Sequence, residues 1–139
     1  MPDWQADPTL KTSYSIKRAA DTAGFYNDLA LDELARRNEG VSFVHAAPGF
    51  VKTRWGTEMP WLVRMLVRGV QVFGKTPLDC AEAMIHPLFT WKAGLRLIKE
   101  TGDPAPLTSV HSDANRAALW EHTEAVLAPA LANKRVDFK

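Results

Sequence analysis

The sequence predicts a helix-rich α/β fold organised around parallel strands, and three observations carry that prediction. A long amphipathic helix is expected over residues 15–37. The short apolar segment 41–47 follows it and stops at a Pro-Gly turn, which is typical of a strand buried in a parallel sheet. Residues 95–98 form a second short apolar segment. Helix, strand and Pro-Gly turn make up half of a βαβ unit, the unit from which doubly wound parallel sheets are built.

The first predicted helix carries small apolar side chains on one face, and we expect that face to be buried. Most charged side chains lie off the face, and Asn38 followed by Gly40 provides a stop signal. The face consists of Ile16, Ala19, Ala20, Ala23, Ala30, Leu31 and Leu34.

Three further helices are predicted, over 57–73, from Thr76 onwards and over 112–128. Thr76 and Asp79 form a capping box at the start of the second of these, and that helix should weaken at His86-Pro87. Ser112 is the expected cap of the last helix. The side chains expected to point inwards from the last helix are Leu119, Trp120, Val126 and Leu127.

Length and composition indicate one ordinary domain. The chain has 139 residues, 46% of them hydrophobic, and a net charge of +1, which excludes nucleic acid as the main partner. No run approaches the roughly 20 apolar residues that a membrane span needs. Cys80 is the only cysteine and no signal peptide is visible, so we expect a reducing, cytoplasmic setting.

Charge is unevenly spread along the chain. Residues 52–99 carry eight basic and three acidic side chains, a balance of +5, while the segments before and after each carry −2. An anion would bind in the middle segment, although interleaved charges of this kind also form ordinary solvated faces.

The mouth of the first helix holds the residues best suited to catalysis. Lys17 and Arg18 follow Tyr14 by three and four residues, spacings that put side chains on one helical face. A neighbouring cation favours the phenolate form of tyrosine and makes the phenol a better general acid for a carbonyl substrate.

The order of these parts resembles the carboxyl-terminal portion of the short-chain dehydrogenase/reductase family. The parts are a Tyr-Ser motif with a cation opening an Ala-rich helix, an apolar strand and the turn Pro48-Gly49 leading to Thr53. Leu119-Trp120-Glu121 looks like the ending of retinol-dehydrogenase-like and divergent fungal members. The resemblance spans about Ser13 to Leu127.

The resemblance implies a function and a set of site residues. Tyr14 would exchange a proton with the substrate oxygen, and Lys17 or Arg18 would hold the nicotinamide ribose and lower the pKa of the tyrosine. The cofactor would be NAD or NADP, contacted at its nicotinamide end by the turn. The cofactor-contacting residues implied by the resemblance are Pro48, Gly49, Val51 and Thr53.

Two departures from the family pattern bear on activity. Alignment on Tyr14 puts Arg18 at the family's lysine position, whereas alignment on Lys17 puts Ser13 at the tyrosine position. The sequence also has no glycine-rich turn for the pyrophosphate, so the dinucleotide-binding half is missing and we expect no autonomous cofactor binding. The resemblance therefore implies a single partial domain over 1–139, the later part of a Rossmann-type sheet.

Within that partial domain, residues 14–53 would form the catalytic helix, strand and turn, 54–75 the substrate lid and 76–139 the carboxyl-terminal helices. The lid would present an apolar face to a small apolar hydroxyl or carbonyl substrate; alternatively these side chains belong to the core. A third interpretation places 57–74 on an anionic membrane surface. The lid residues concerned are Trp61, Leu62, Met65 and Leu66.

Other chemistry has weaker support. The four histidines, His45, His86, His111 and His122, show no metal-ligand spacing, so no metal site is expected. We expect Cys80 to be a buried structural thiol and His45 to be a hydrogen-bonded core or site-wall residue.

Two function hypotheses follow from the sequence. The first is hydride transfer between NAD(P) and a hydroxyl or carbonyl substrate by an incomplete short-chain dehydrogenase/reductase. The second is a non-catalytic, truncated protein that acts by association with a partner subunit, as a homo- or hetero-oligomer.

Overall fold

Two parallel strands form the sheet of the described structure. The computed structural model describes residues 4–54 and 56–132; residues 1–3, 55 and 133–139, which fall within the predicted partial domain and lid, lie outside the described residues. Strand β1 (Ser42–Ala46) pairs with β2 (Gly94–Ile98) in parallel, with His45 opposite Leu97. The helix-rich α/β prediction is confirmed. The larger doubly wound sheet stays a prediction.

Helix α1 (Ile16–Arg37) covers nearly the whole of the predicted range 15–37 and is capped at both ends. The Ser15 hydroxyl accepts a hydrogen bond from the Arg18 N–H at 3.1 Å, and the Asn38 N–H donates to the carbonyl of Leu34 at 3.0 Å. Both terminal turns therefore have partners for part of their unpaired backbone groups.

The buried face of α1 differs from the predicted one. Thr22, Phe25, Leu29 and Ala35 are buried, whereas Ile16 is 81% exposed and the alanines at 20 and 23 also face solvent. Phe25 and Leu29 remove far more apolar area from water than alanines do, so they decide which face packs inwards. The alanine-rich face was the wrong choice for the first half of the helix.

Helices α2 (Trp61–Gln71) and α3 (Pro77–Thr90) connect the two strands. Helix α2 is shorter than the predicted 57–73, since Pro60 keeps the residue before it out of helical geometry. Helix α3 begins as predicted, with the Thr76 hydroxyl accepting from the Asp79 N–H at 3.2 Å. It continues through Pro87 to Thr90, and the Trp91 N–H donates to the Pro87 carbonyl at 2.8 Å; the weakening expected at His86-Pro87 does not end the helix there.

Helix α4 (Asp113–Ala132) closes the core against α1. As predicted, the Ser112 hydroxyl caps it, accepting from the Asn115 N–H at 3.2 Å. Leu119 is buried and Trp120 half-buried, but Val126 and Leu127 are 56% and 49% exposed, so the inward prediction is wrong for these two. They line an open groove of about 320 Å³ between α1 and α4. The core cluster consists of Trp4, Phe25, Leu29 and Leu119.

An ionic network joins α4 to α1. Arg116 donates to Glu33 at 2.9 Å, to Asp32 at 3.1 Å and to Asp113 at 2.5 Å. Hydrogen bonds from Arg37 and Arg116 hold the pKa of Glu33 below its usual range. Within the described part of the chain, no helix is both long and apolar enough to cross a bilayer.

Candidate functional site

Asp7 organises the loop that leads into the predicted catalytic helix. Its carboxylate accepts hydrogen bonds from the backbone N–H of Lys11, Thr12 and Ser13 and from the hydroxyls of Thr12 and Ser13, at 2.7 to 3.0 Å. Hydrogen bonds from Thr12 and then Ser13 hold the pKa of this carboxyl far below its usual range. The backbone immediately before Tyr14 is therefore anchored.

Tyr14 lies outside α1, two residues before the helix begins, and its side chain is 69% exposed. Helical spacing therefore does not place it on a face with Lys17 and Arg18, and the same-face prediction was wrong. Among the described residues, no hydrogen bond joins the Tyr14 hydroxyl to either cation. Lys17 instead pairs with Asp21 at 2.5 Å on the exposed surface.

The two cations do share a small cavity. This helix-mouth cavity, of about 140 Å³, is lined by Lys17, Arg18 and Asp21 together with Trp4 and Asp7. Arg18 is half-buried there, whereas the Lys17 side chain is 84% exposed. Of the two candidate partners for Tyr14, Arg18 is the less exposed, and Lys17 is already paired with Asp21.

The Pro48-Gly49 turn begins directly after β1 and is tied to the end of α2. Gly49 has φ +67°, a left-handed conformation that favours glycine. The Lys75 N–H donates to the Phe50 carbonyl and the Lys52 N–H donates to the Lys75 carbonyl, both at 2.9 Å. Gln71, which is buried, donates its side-chain amide to the Thr53 carbonyl at 2.9 Å. The turn and the predicted lid helix are thus one connected unit.

All four predicted cofactor-contacting residues line one cavity. This loop cavity, of about 540 Å³, is bounded by Pro48, Gly49, Val51 and Thr53 together with Phe50 and Cys80. Cys80 is buried, as predicted, and forms part of the cavity wall. The Nζ of nearby Lys75 is buried and makes no hydrogen bond among the described residues.

The helix mouth and the turn lie beyond the same edge of the sheet. Asp28 contacts His45, and the carboxyl end of α1 leads within a few residues into β1, so α1 runs opposite to β1. From Asp28 to Arg18 the helix extends about 15 Å towards the carboxyl edge, at 1.5 Å per residue. The turn leaves β1 at that edge, where open α/β sheets bind ligands.

The predicted lid residues face solvent. Trp61, Leu62, Met65 and Leu66 are 71%, 51%, 58% and 64% exposed, so the alternative that they belong to the core is wrong. None of them lines the helix-mouth cavity or the loop cavity. A ligand seated in the loop cavity would have to meet this face through movement of α2.

Sequence analysis missed a cluster formed by Asp28, His45 and His111. One oxygen of Asp28 lies 2.5 Å from Nδ1 of His45, and the other lies 3.2 Å from Nε2 of His111. The only signal was a histidine inside an otherwise apolar strand, because the three residues come from distant parts of the chain. Among residues 4–54 and 56–132, no group of three ligand side chains is arranged to hold a metal ion.

No family model, no curated protein and no solved structure matches this chain.

Proposed function

We propose that this chain is the substrate side of an oxidoreductase of the short-chain dehydrogenase/reductase type, acting on a small apolar hydroxyl or carbonyl compound. The observation that carries the proposal is the order of parts around one sheet edge. The mouth of α1 carries Tyr14 and Arg18. This mouth and the Pro48-Gly49 turn both lie beyond the carboxyl end of β1, and β1 pairs in parallel with β2.

Each element then has a role in the proposed reaction. Tyr14 donates a proton to the carbonyl oxygen of the substrate, or accepts one from the hydroxyl in the reverse direction. Arg18 and Lys17, which line the helix-mouth cavity, would hold the nicotinamide ribose. Helix α2 covers the substrate with its apolar face, and the bonds from Gln71 and Lys75 couple that helix to the turn.

The loop cavity suits the nicotinamide end of the cofactor. Its walls are largely apolar, as an uncharged or singly charged aromatic ring requires. When bound, NAD or NADP would supply or accept the hydride. The sequence has no glycine-rich turn before a helix, so the residues present fit the nicotinamide end and not the pyrophosphate.

The direct test uses nicotinamide mononucleotide, the half of the cofactor that carries the nicotinamide ring. We expect reduced nicotinamide mononucleotide to cause saturable NMR shifts in the ¹⁵N-labelled chain at residues 48–53 and 14–18. Ribose 5-phosphate, which lacks the ring, should leave 48–53 unchanged. If millimolar mononucleotide shifts neither segment, or shifts only residues elsewhere, the proposal fails.

Turnover tests the role of Tyr14. With the reduced mononucleotide and an aliphatic aldehyde, the Tyr14→Phe variant should lose about a hundredfold in rate because the proton donor is gone. Tyr26→Phe is the matched control, since the Tyr26 hydroxyl donates to the Pro8 carbonyl at 2.9 Å and Tyr26 lines neither the helix-mouth cavity nor the loop cavity. Equal rates for the two variants would contradict the role given to Tyr14.

Exposed apolar side chains favour a second candidate function, association with a partner subunit. Phe73 and Phe89 are 90% and 84% exposed, and Leu78 is 77% exposed. Large exposed patches of this kind mark interaction surfaces. Sedimentation at increasing concentration should show self-association that Phe73→Asp and Phe89→Asp abolish; a monomer at all concentrations would contradict it. Contact of 57–74 with an anionic membrane stays a prediction.

A further inference from the structure

Asp28 holds two imidazoles in opposite orientations. The Thr108 backbone N–H donates to Nδ1 of His111 at 3.0 Å, so the proton of that ring is on Nε2, where it points to Asp28 at 3.2 Å. An ionised carboxylate only accepts hydrogen bonds. His45 therefore donates its Nδ1 proton to the other oxygen of Asp28, at 2.5 Å.

When the ring is neutral, this arrangement leaves Nε2 of His45 as an unprotonated acceptor. Among the described residues it has no hydrogen-bond partner, and the His45 side chain is 32% exposed. Asp28 cannot rotate to release it without breaking its bond to His111, whose side chain is only 12% exposed. The ring of Phe25 packs edge-on against His111 at 5.8 Å and fixes that imidazole further.

His45 lines a cavity of about 370 Å³, which we call the imidazole cavity. Its other walls are largely apolar, formed by Phe25, Leu97, Ile98 and the small side chains of Ala47 and Ala105. An apolar cavity of about 150 Å³ is enough for a benzene ring, so this one accommodates a single-ring compound.

We propose that the imidazole cavity binds a small neutral molecule that has an apolar body and one O–H group, donated to Nε2 of His45. The cavity contains no serine, threonine or cysteine, so the hydrogen-bond donor comes from the ligand. Carboxylates at Asp21 and Asp28 repel anions, and both are already paired, Asp21 with Lys17 and Asp28 with two imidazoles. The proposed ligand takes no part in the hydride transfer proposed above, although Asp21 lines both the imidazole cavity and the helix-mouth cavity.

Ring tautomers test the basis of the proposal in the unmodified chain. Long-range ¹H–¹⁵N spectra at about pH 8.5, where imidazoles are neutral, should show His45 protonated on Nδ1 and His111 on Nε2. A proton on Nε2 of His45 would remove the acceptor and overturn the proposal.

Phenol and anisole test the ligand chemistry, since anisole keeps the ring and lacks the O–H. Phenol should shift the amides of Ala47, Leu97 and Ala105 and bind about fivefold more tightly than anisole, the worth of one hydrogen bond. Equal affinities, or shifts confined to other residues, would overturn the proposal.

Asp28→Asn should change which ring nitrogen of His45 carries the proton. Because His111 still needs an acceptor, the amide oxygen of Asn at this position faces His111 and its NH₂ group faces His45, which must move its proton to Nε2. The phenol preference should fall to about one while anisole affinity stays unchanged. His86→Gln, at an exposed histidine on α3, is the control and should keep the fivefold preference. Retention of the preference in Asp28→Asn would contradict the assigned geometry; if that variant does not fold, the two tests on the unmodified chain decide.

Discussion

Replacing Arg116 with alanine tests whether the ionic network fixes α1 against α4. The Arg116 side chain is 12% exposed and bonds to Asp32 and Glu33, which are 20% and 17% exposed, and to Asp113, which is 77% exposed. Charge-assisted hydrogen bonds between partly buried groups, here those to Asp32 and Glu33, contribute about 1.5–3 kcal/mol each. The exposed pair with Asp113 contributes little. Each α1 carboxylate keeps an arginine of its own helix, at 3.4 and 2.7 Å, so neither is left unpaired. The two partly buried bonds would sum to about 3–6 kcal/mol, but the remaining arginines recover part of this. We therefore expect a loss of about 2–3 kcal/mol in the free energy of unfolding, at or below the 3–5 kcal/mol typical when a buried charge is left unpaired.

Urea denaturation followed by circular dichroism measures this loss. Arg68→Ala is the matched control, because Arg68 is exposed on α2 and makes no hydrogen bond or ion pair among the described residues. Its effect should stay within about 0.5 kcal/mol. Combining Arg116→Ala with Glu33→Gln should give a coupling energy of about 1 kcal/mol. A loss for Arg116→Ala no larger than that for Arg68→Ala would refute the reasoning.

Three further predictions concern the core, the turn and the N-terminal loop. Leu29→Ala should cost about 3 kcal/mol in urea denaturation, because Leu29 is 1% exposed in the aromatic core; a loss below 1 kcal/mol would contradict that packing. Gly74→Ala places a Cβ 2.9 Å from the Phe50 carbonyl oxygen, so it should cost about 1–2 kcal/mol and speed amide exchange at residues 50–52, whereas unchanged exchange would be inconsistent with that contact. Asp7→Asn should destabilise the chain above about pH 4 and progressively less as pH falls below it, because the depressed pKa of Asp7 makes its contribution complete above the unfolded pKa; a pH-independent difference would argue against it.

The sequence predicted what is decided locally. Asn38, Thr76 and Ser112 cap helices as expected, since a cap depends on residues within one turn of it. The strands also formed at the predicted segments. The buried face of α1 was predicted wrongly. Whether the alanine face or the Phe25 face is buried depends on which side chains α4 packs against α1, and the local sequence of α1 does not contain that information.

The candidate site was predictable only in part. The grouping of Pro48, Gly49, Val51 and Thr53 around one cavity follows from their being consecutive in a turn. The relation of Tyr14 to Lys17 was not predictable. Ser15 is the N-cap of α1, so Tyr14 lies outside the helix and helical spacing does not apply to it. The cluster of Asp28, His45 and His111 forms only when α1 packs on the strands and on the loop before α4. Because the three residues are far apart in the sequence, no local pattern predicts that they meet.

One helix face serves both proposed sites. Asp21 lines the helix-mouth cavity and also the imidazole cavity, and Asp28 follows it by seven residues, two turns along the same face. Lys17 pairs with Asp21, so the cation beside Tyr14 and the rim of the imidazole cavity share one carboxylate. A ligand that displaced Asp21 from Lys17 in one cavity would free that cation in the other. We therefore expect phenol binding to alter the NMR shifts of Lys17 as well as those of residues near His45; unchanged Lys17 shifts would contradict coupling through Asp21.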